Sequence, residues 1–390
     1  YILSMDAAAR GAVIAYDSRI HSRLFAEAAA SVLAANGIRT FLFDGMRPTP
    51  VLSFAIRQLG CAAGINITAS HNAKEYNGYK VYWEDGAQLA PEQAEAVSRY
   101  IRGADILTGV SVCGFDAAVA AGKITMVGKE LDERYFANVL RQSVNPEAIL
   151  RQADMKIVYT PLHGAGRAFV PEILKRAGFR NVIAVPEQMI PDGSFPTVRF
   201  PNPEFPEVFE LGMRLAREND SDLIIATDPD ADRTGIMVRR QDGSFTALTG
   251  NQTGALLLHY IITALQTTGT MPPEPYAVKS IVTTELATAI CRKNGVELFN
   301  VLTGFKFIGE VIKMHEEAGH GSFLFGFEES YGYLKGTYAR DKDAVVASLL
   351  IAEMAAAYRE RGMTLYDALE ELYEMYGFSA EKVVSLTAGG

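Results

Sequence analysis

The segment Asp222-Leu-Ile-Ile-Ala-Thr-Asp-Pro-Asp-Ala-Asp-Arg233 sets an uninterrupted apolar run directly before three carboxylates and an arginine. A short apolar run without polar alternation reads as a strand covered on both faces, the kind found in parallel sheets with crossover helices. Polar residues at its carboxyl end then fall where open α/β sheets gather their ligands. Outward from this strand the same alternation recurs. Upstream, Met155–Leu162 reads as a strand, followed by a helix through Ala177 and a strand over Asn181–Pro186; downstream, Gly235–Leu248 reads as a hairpin turned at Asp242-Gly243.

Two further rounds flank this one. Before it, strands are expected at Gly11–Ser18, Thr40–Asp44, Cys61–Thr68 and Tyr79–Trp83, with helices at Leu24–Asn36, Thr49–Leu59 and Pro91–Arg102. After it come a helix over Gly254–Gln266, strands near Tyr276–Thr283, Glu297–Leu302 and Gly321–Phe327, and helices at Ile308–Ala318, Ala344–Arg361 and Leu365–Tyr376. The polar stretch Gln142–Ala153 and the glycine-bearing Thr249–Gln252 are the natural cuts. The expected architecture is three consecutive α/β domains with mixed, largely parallel sheets and crossover helices, and the active site in the central cleft. The spans are 1–142, 143–249 and 250–378, with 379–390 opening on a new strand, Glu381–Thr387.

Composition narrows the function. The 390 residues hold 46 acidic against 37 basic side chains, a net charge of -9 with the signs interspersed, which argues against a nucleic-acid surface. Cys61, Cys113 and Cys291 are far apart and odd in number, so neither a disulfide framework nor a C-x-x-C motif is available, and a reducing, cytoplasmic setting fits. No apolar run approaches the ~18–20 residues of a membrane span.

Four loops carry the chemistry. Thr68-Ala-Ser-His-Asn72, followed by Asn77-Gly-Tyr-Lys80, offers a nucleophilic serine without the elbow of a hydrolase. Asp228, Asp230 and Asp232 can converge on one point only if a cation offsets their repulsion, and all-oxygen ligation suits a hard ion, Mg²⁺ or else Mn²⁺ or Ca²⁺. An EF-hand is excluded, since Arg233 and Arg239 occupy the positions of its glycine and terminal glutamate. Arg233 stands ready for an anionic or hydroxylated substrate. Leu302-Thr-Gly-Phe-Lys306 and Gly326-Phe-Glu-Glu-Ser330-Tyr-Gly332, running on to Arg340-Asp-Lys-Asp343, complete the set; a carboxylate beside a hydroxyl suits vicinal sugar hydroxyls. Lys342 is a proton shuttle or a member of an ion network. A competing signal, Gly164-Ala-Gly-Arg-Ala168 with Glu187 about 20 positions on, imitates a dinucleotide-binding turn. Pro161 and His163 interrupt that turn, and the Asp triplet has no task in hydride transfer.

Together these groups add up to phosphoryl transfer on a polyol, where positioning, a metal and cationic clamps do most of the work. Thr68–Asn72, Asp228-x-Asp-x-Asp232-Arg233, Thr303-Gly304 and Glu328-Glu-Ser330 also follow the order and approximate spacing of the α-D-phosphohexomutase superfamily, which the chain resembles over nearly its whole length. The resemblance implies that Ser70 is the phosphorylated serine. It implies that Asp228, Asp230 and Asp232 bind Mg²⁺ with an oxygen on Ser70, and that His71 and Lys80 line the phosphoserine. Glu328 and Ser330 would read sugar hydroxyls, Thr303-Gly304 would help distinguish two sugar orientations, and Lys342 would act as general acid/base. The implied reaction moves phosphate between C1 and C6 of a hexose, most readily glucose, through a 1,6-bisphosphate such as glucose 1,6-bisphosphate. The partner is then a small-molecule sugar phosphate, with neither nucleic acid nor membrane. A phosphopentomutase, a metal-dependent phosphatase and a non-catalytic sugar-phosphate binding protein are the alternatives. Ala73 departs from the proline usual in the family. The resemblance also implies four domains, so the chain would lack the opening of the first and, beyond residues 379–390, most of the last.

Overall fold

The structure is a computed structural model and describes residues 1–105 and 107–382. Three sheets follow one another along the chain. The first contains β1 (Ala12–Tyr16), β2 (Thr40–Phe43), β3 (Ala63–Ile67), β4 (Tyr79–Trp83) and β5 (Ile124–Val127), in the order β4-β3-β1-β2-β5. The second contains β6 (Lys156–Thr160), β7 (Asn181–Ala184), β8 (Leu223–Thr227), β9 (Thr234–Arg239) and β10 (Phe245–Leu248), in the order β10-β9-β8-β6-β7. The third contains β11 (Pro275–Ser280), β12 (Glu297–Val301), β13 (Ser322–Glu328) and β14 (Gly332–Leu334), in the order β12-β11-β13-β14.

One construction repeats in all three. The interior strands pair in parallel, and one of them then returns through a hairpin as an antiparallel neighbour: β3 to β4, β8 to β9, β13 to β14. Each hairpin loop leaves the carboxyl end of a strand that is largely buried. Those three loops are 68–78, 228–233 and 329–331, and they hold most of the chemistry singled out above.

Local sequence explains the elements around them. The helix Thr49–Leu59 has Pro50 in its first turn, where a missing N–H costs nothing, and stops at Gly60 in the left-handed region. The helix Gly250–Thr267 starts four residues earlier than its apolar pattern indicates, because Thr249 and Gln252 form a capping box. Gly250 there is a contact requirement, since a Cβ would meet the Glu329 carbonyl oxygen at 2.1 Å. The segment between the first two sheets likewise holds a short helix, Pro146–Arg151, capped by the Asn145 side chain. Residues 115–140, without a clear pattern in the sequence, form helices Phe115–Ala120 and Lys129–Leu140 around β5. The expected strand Glu381–Thr387 lies, from residue 383 on, outside the described residues.

A single apolar cluster runs through all three sheets. Its spine is the helix Ala344–Glu360, apolar on nearly every face, which packs against the helices Lys129–Leu140, Pro146–Arg151, Val170–Ala177 and Gly250–Thr267. Among the described residues no helix is long and apolar enough to cross a membrane.

Candidate active site

The three hairpin loops meet. Each carries a non-glycine residue in the left-handed region, Ser70 (φ 51°), Ala231 (φ 49°) and Tyr331 (φ 65°). Such backbone is costly by roughly 1–3 kcal/mol and persists only where neighbours hold it. Ser70 N–H donates to Thr68 Oγ1 at 2.8 Å, and its carbonyl accepts from the Arg19 guanidinium at 2.7 Å. The same guanidinium donates to the carbonyls of Asn72, Ala73 and Tyr76. Arg19 is itself held by Asp17, whose carboxylate also accepts from Thr68 and Ser22, and it lies over the Phe195 ring. Burial pushes the Asp17 carboxyl up to about 6. Sequence reasoning passed over Arg19, because an arginine shortly after a strand is indistinguishable from a surface arginine until the carbonyls it gathers are in place.

Ser70, mostly buried, donates its hydroxyl to Asp228 Oδ2 at 2.7 Å, and His71 Nδ1 lies 3.2 Å from that hydroxyl oxygen. Burial and the neighbouring Arg233 push His71 down to about 3, so the ring is neutral. The Asp228, Asp230 and Asp232 side chains are buried and bring one carboxylate oxygen each to within 4.8 Å of one another. Burial, together with the other two carboxylates, holds Asp228 well above the usual range; Asp232 is raised by burial and Asp230. Asp230 is held well below the usual carboxylate range instead: burial would raise it, but Lys80 and the hydrogen bonds from Lys80 and Thr49 outweigh that burial. Asp228 Oδ1 accepts the N–H groups of Asp232 and Arg233, which leaves Asp230 Oδ1 and Asp232 Oδ1 buried with no hydrogen-bond partner. Buried oxygens without a donor cost about 1–3 kcal/mol each, so two of them in one carboxylate cluster fit a hard cation.

Cations surround the triplet. Lys80 Nζ is 3.0 Å from Asp230 Oδ2, and Lys342 Nζ is 3.2 Å from Asp232 Oδ2 and 3.0 Å from Asp341 Oδ1. Burial alone would lower Lys342, but Asp232, Asp341 and Glu328 hold it above the ordinary lysine range. Asp341 accepts from Tyr82 at 2.8 Å and from Gln88 at 3.2 Å, which ties the lysine to β4. Lys342 is therefore no member of a surface ion network.

Arg233 bonds Glu204 Oε1 at 2.6 Å and the Ser330 carbonyl at 3.0 Å, with its Nε buried and unpartnered. Glu328 is buried, and that burial raises its carboxyl above the usual range. Its neighbour Glu329 turns the other way, accepting from Ser280 at 2.8 Å and Thr283 at 3.2 Å to fix the loop on the third sheet. Thr303 is exposed, and Gly304 starts the helix Phe305–Ala318. That pair reaches the cluster through Phe305, whose ring lies 5.6 Å from Lys342 Nζ.

The glycine pair that imitates a dinucleotide turn has another task. A Cβ at Gly164 would sit 2.4 Å from Pro229 Cα, and Ala165 N–H donates to the Pro229 carbonyl at 2.7 Å. The 161–168 segment thus buttresses the Asp loop from behind. Glu204 and Thr49 also belong to the site and carried no motif by which to find them; Asp341 belongs to it too and stands in the Arg340–Asp343 run, where it was given no role.

A serine hydroxyl against a carboxylate triplet, ringed by two lysines and an arginine, is the equipment of a metal-assisted phosphotransferase. Family models for phosphoglucomutase/phosphomannomutase α/β/α domains I, II and III match residues 1–106, 133–243 and 249–376. A phosphoglucomutase of Staphylococcus saprophyticus is 40% identical over 378 residues, covering 97% of this chain and 67% of the relative. The chain belongs to the phosphoglucomutase/phosphomannomutase family, whose members are phosphotransferase mutases. It spans about two thirds of the length of the curated relatives it matches. Among solved structures, a Thermus thermophilus protein bearing the name phosphomannomutase superposes with a TM-score of 0.74 at 25% identity, covering 94% of this chain and 76% of that one. The open form of parafusin, a phosphoglucomutase from Paramecium, shares the fold with a TM-score of 0.74 at 19% identity, over 96% of this chain and 69% of that one.

Proposed function

We propose that this chain carries the reaction centre of a phosphohexomutase that interconverts hexose 1-phosphate and hexose 6-phosphate, with glucose as the preferred sugar, by way of phosphorylated Ser70. The observation that supports this most directly is Ser70 Oγ at 2.7 Å from Asp228 Oδ2, beside the unpartnered buried Oδ1 atoms of Asp230 and Asp232. We assign Mg²⁺ to Asp228, Asp230, Asp232 and an oxygen on Ser70, and glucose 1,6-bisphosphate to the cleft in front of them. Bound there, Mg²⁺ would offset charge on the transferring phosphoryl group.

The protein's own groups account for the proton movements. When Ser70 receives a phosphoryl group, its Oγ forms the O–P bond and releases its proton to Asp228 Oδ2 or His71 Nδ1, both within reach. The bond from phosphorus to the sugar oxygen breaks, and that oxygen takes a proton from Lys342 Nζ. The reverse half-reaction returns both protons, so shifting phosphate between C1 and C6 needs only that the bisphosphate turn around. Lys80 and Arg233 clamp anionic oxygens, Glu328 and Ser330 bind ring hydroxyls, and Thr303-Gly304 contacts the distal side of the sugar. Glucose as substrate rests on the Glu-Glu-Ser loop and on relatives that are phosphoglucomutases.

The test is phosphoryl capture. Incubation with Mg²⁺ and glucose 1,6-bisphosphate, followed by intact mass and peptide mapping, is expected to place a single phosphoryl group on Ser70. Ser70→Ala and chelated samples are expected to stay unmodified. Modification elsewhere, or modification that ignores chelation, would overturn the assignment.

A further inference from the structure

Asp230 is the member of the triplet most tightly engaged by another part of the chain, and the donors to its Oδ2 come from the first sheet and the helix that follows β2. Asp230 Oδ2 accepts from Thr49 Oγ1 at 2.9 Å and from Lys80 Nζ at 3.0 Å. The Asp230 carbonyl accepts from Thr49 N–H at 2.8 Å, one of the free donors at the start of the helix Thr49–Leu59. Thr49 Oγ1 in turn accepts from Asn66 Nδ2 at 2.8 Å. Asn66 and Lys80 are cross-strand partners on β3 and β4, so their side chains leave the same face of the sheet. Thr49 and Asn66 are both fully buried.

The direction of this relay follows from its donors. An amide nitrogen can only donate, so Thr49 receives from Asn66, and its single hydroxyl proton is committed to Asp230 Oδ2. Oδ2 therefore carries two donors while Oδ1 carries none. The carboxylate is locked in one rotation, with Oδ1 left free for a cation.

We infer that Thr49, oriented by Asn66, is the positioning residue of the cation site, so that cation affinity is set from the helix that follows β2 by a residue 181 positions away from the carboxylate it steers. This rests on the Mg²⁺ assignment above. Groups that orient a metal ligand without touching the metal alter affinity by about 10–100-fold when removed. Thr49→Val keeps the shape and the backbone N–H bond but deletes the hydroxyl. It frees Asp230 to rotate and strips Asn66 Nδ2 of its acceptor.

Calorimetric titration with Mg²⁺, and separately with Mn²⁺, gives the test without reference to turnover. Wild-type protein binds one ion; Thr49→Val is expected to bind it at least about tenfold more weakly, and Thr49→Ser, which restores the hydroxyl, within about threefold of wild type. Asn66→Ala leaves the hydroxyl but not its orientation, and several-fold weakening is expected; it decides the matter if Thr49→Val does not fold. Melting curves without metal check that the variants share the wild-type fold. Unchanged affinity in Thr49→Val, or in Asn66→Ala should Thr49→Val not fold, would overturn the relay while leaving the cation site standing. A wild-type protein that binds neither ion would overturn the Mg²⁺ assignment and the relay with it.

Discussion

Two groups of buried carboxylates in this molecule are treated in opposite ways. Asp343 is fully buried and accepts from the hydroxyls of Tyr135 and Tyr338 at 2.8 and 2.6 Å and from the N–H groups of Val345 and Val346 at 2.8 and 3.0 Å. Further along the same helix, Glu353 accepts from Ser143, from the N–H groups of Val144 and Asn145 and from Tyr260, stitching the segment between the first two sheets to the spine. Asp228, Asp230 and Asp232 are equally buried, yet two of their oxygens have no donor and the three repel one another. Burial alone therefore says little about what a carboxylate is for. Saturation with donors marks one that holds the fold, and missing donors mark one that holds a ligand.

The comparison can be broken or sharpened by substitution. The largest effect is expected at Ser70. Ser70→Ala should lower mutase turnover by about 10³-fold or more while the melting temperature moves by no more than ~2 °C; an active Ser70→Ala protein would remove the open cluster from catalysis. Asp343→Ala comes next. It leaves two tyrosine hydroxyls and a helix start without an acceptor in the interior, and urea denaturation is expected to show a loss of about 3–5 kcal/mol.

Asp228→Asn should behave in the opposite sense. Burial and like charges raise the Asp228 carboxyl, so its ionised form is a liability without a cation. The amide is expected to leave metal-free stability unchanged or higher by about 1 kcal/mol, while the rise in melting temperature on adding Mg²⁺ disappears. Destabilisation as large as that of Asp343→Ala would erase the distinction between the two groups.

The smallest effect is a pH dependence set by a residue that belongs to neither group. His259 is buried with Nδ1 unpartnered, and burial pushes it down to about 4. The unfolded chain takes up a proton near pH 6.5 and the folded chain does not until about 4, so stability is complete above 6.5 and falls as pH drops through this window. About 2 kcal/mol is expected to be lost between about pH 6.5 and 5, and His259→Phe should remove that part of the slope in denaturation curves. A wild-type slope unchanged in His259→Phe would mean that other groups set it.

Much of the fold was legible along the chain, because a strand covered on both faces leaves an apolar run that local reading detects. β8, β6 and the hairpin β9–β10 fall where their patterns place them. β5 and the helix Glu210–Asn219 went unread, the first because a four-residue edge strand with two exposed positions carries little periodicity. The start of the helix Gly250–Thr267 was misjudged because Gly250 reads locally as a break, whereas the Glu329 backbone demands a residue without Cβ there.

In the site, the place of Ser70 and of the Asp triplet on loops after strands was visible in the sequence, since three carboxylates two apart on one short loop can converge, while the role expected of Ser70 came from the family resemblance. Arg19, Thr49 and Glu204 were not, nor was the role of Asp341 within the Arg340–Asp343 run, because each acts on a partner in a different segment or on a neighbour that only the folded chain brings into line. By itself, then, the sequence determined the alternation of strands and helices and the polar loops that follow strand ends, which depend on contacts within a few residues. Only the tertiary structure decided that those loops converge, which lysine faces which aspartate, that Glu328 turns inward while Glu329 turns away, and that a threonine of the first sheet's helix steers a carboxylate of the second. Those outcomes depend on distances and donor directions between segments far apart in the chain, and no local pattern encodes them.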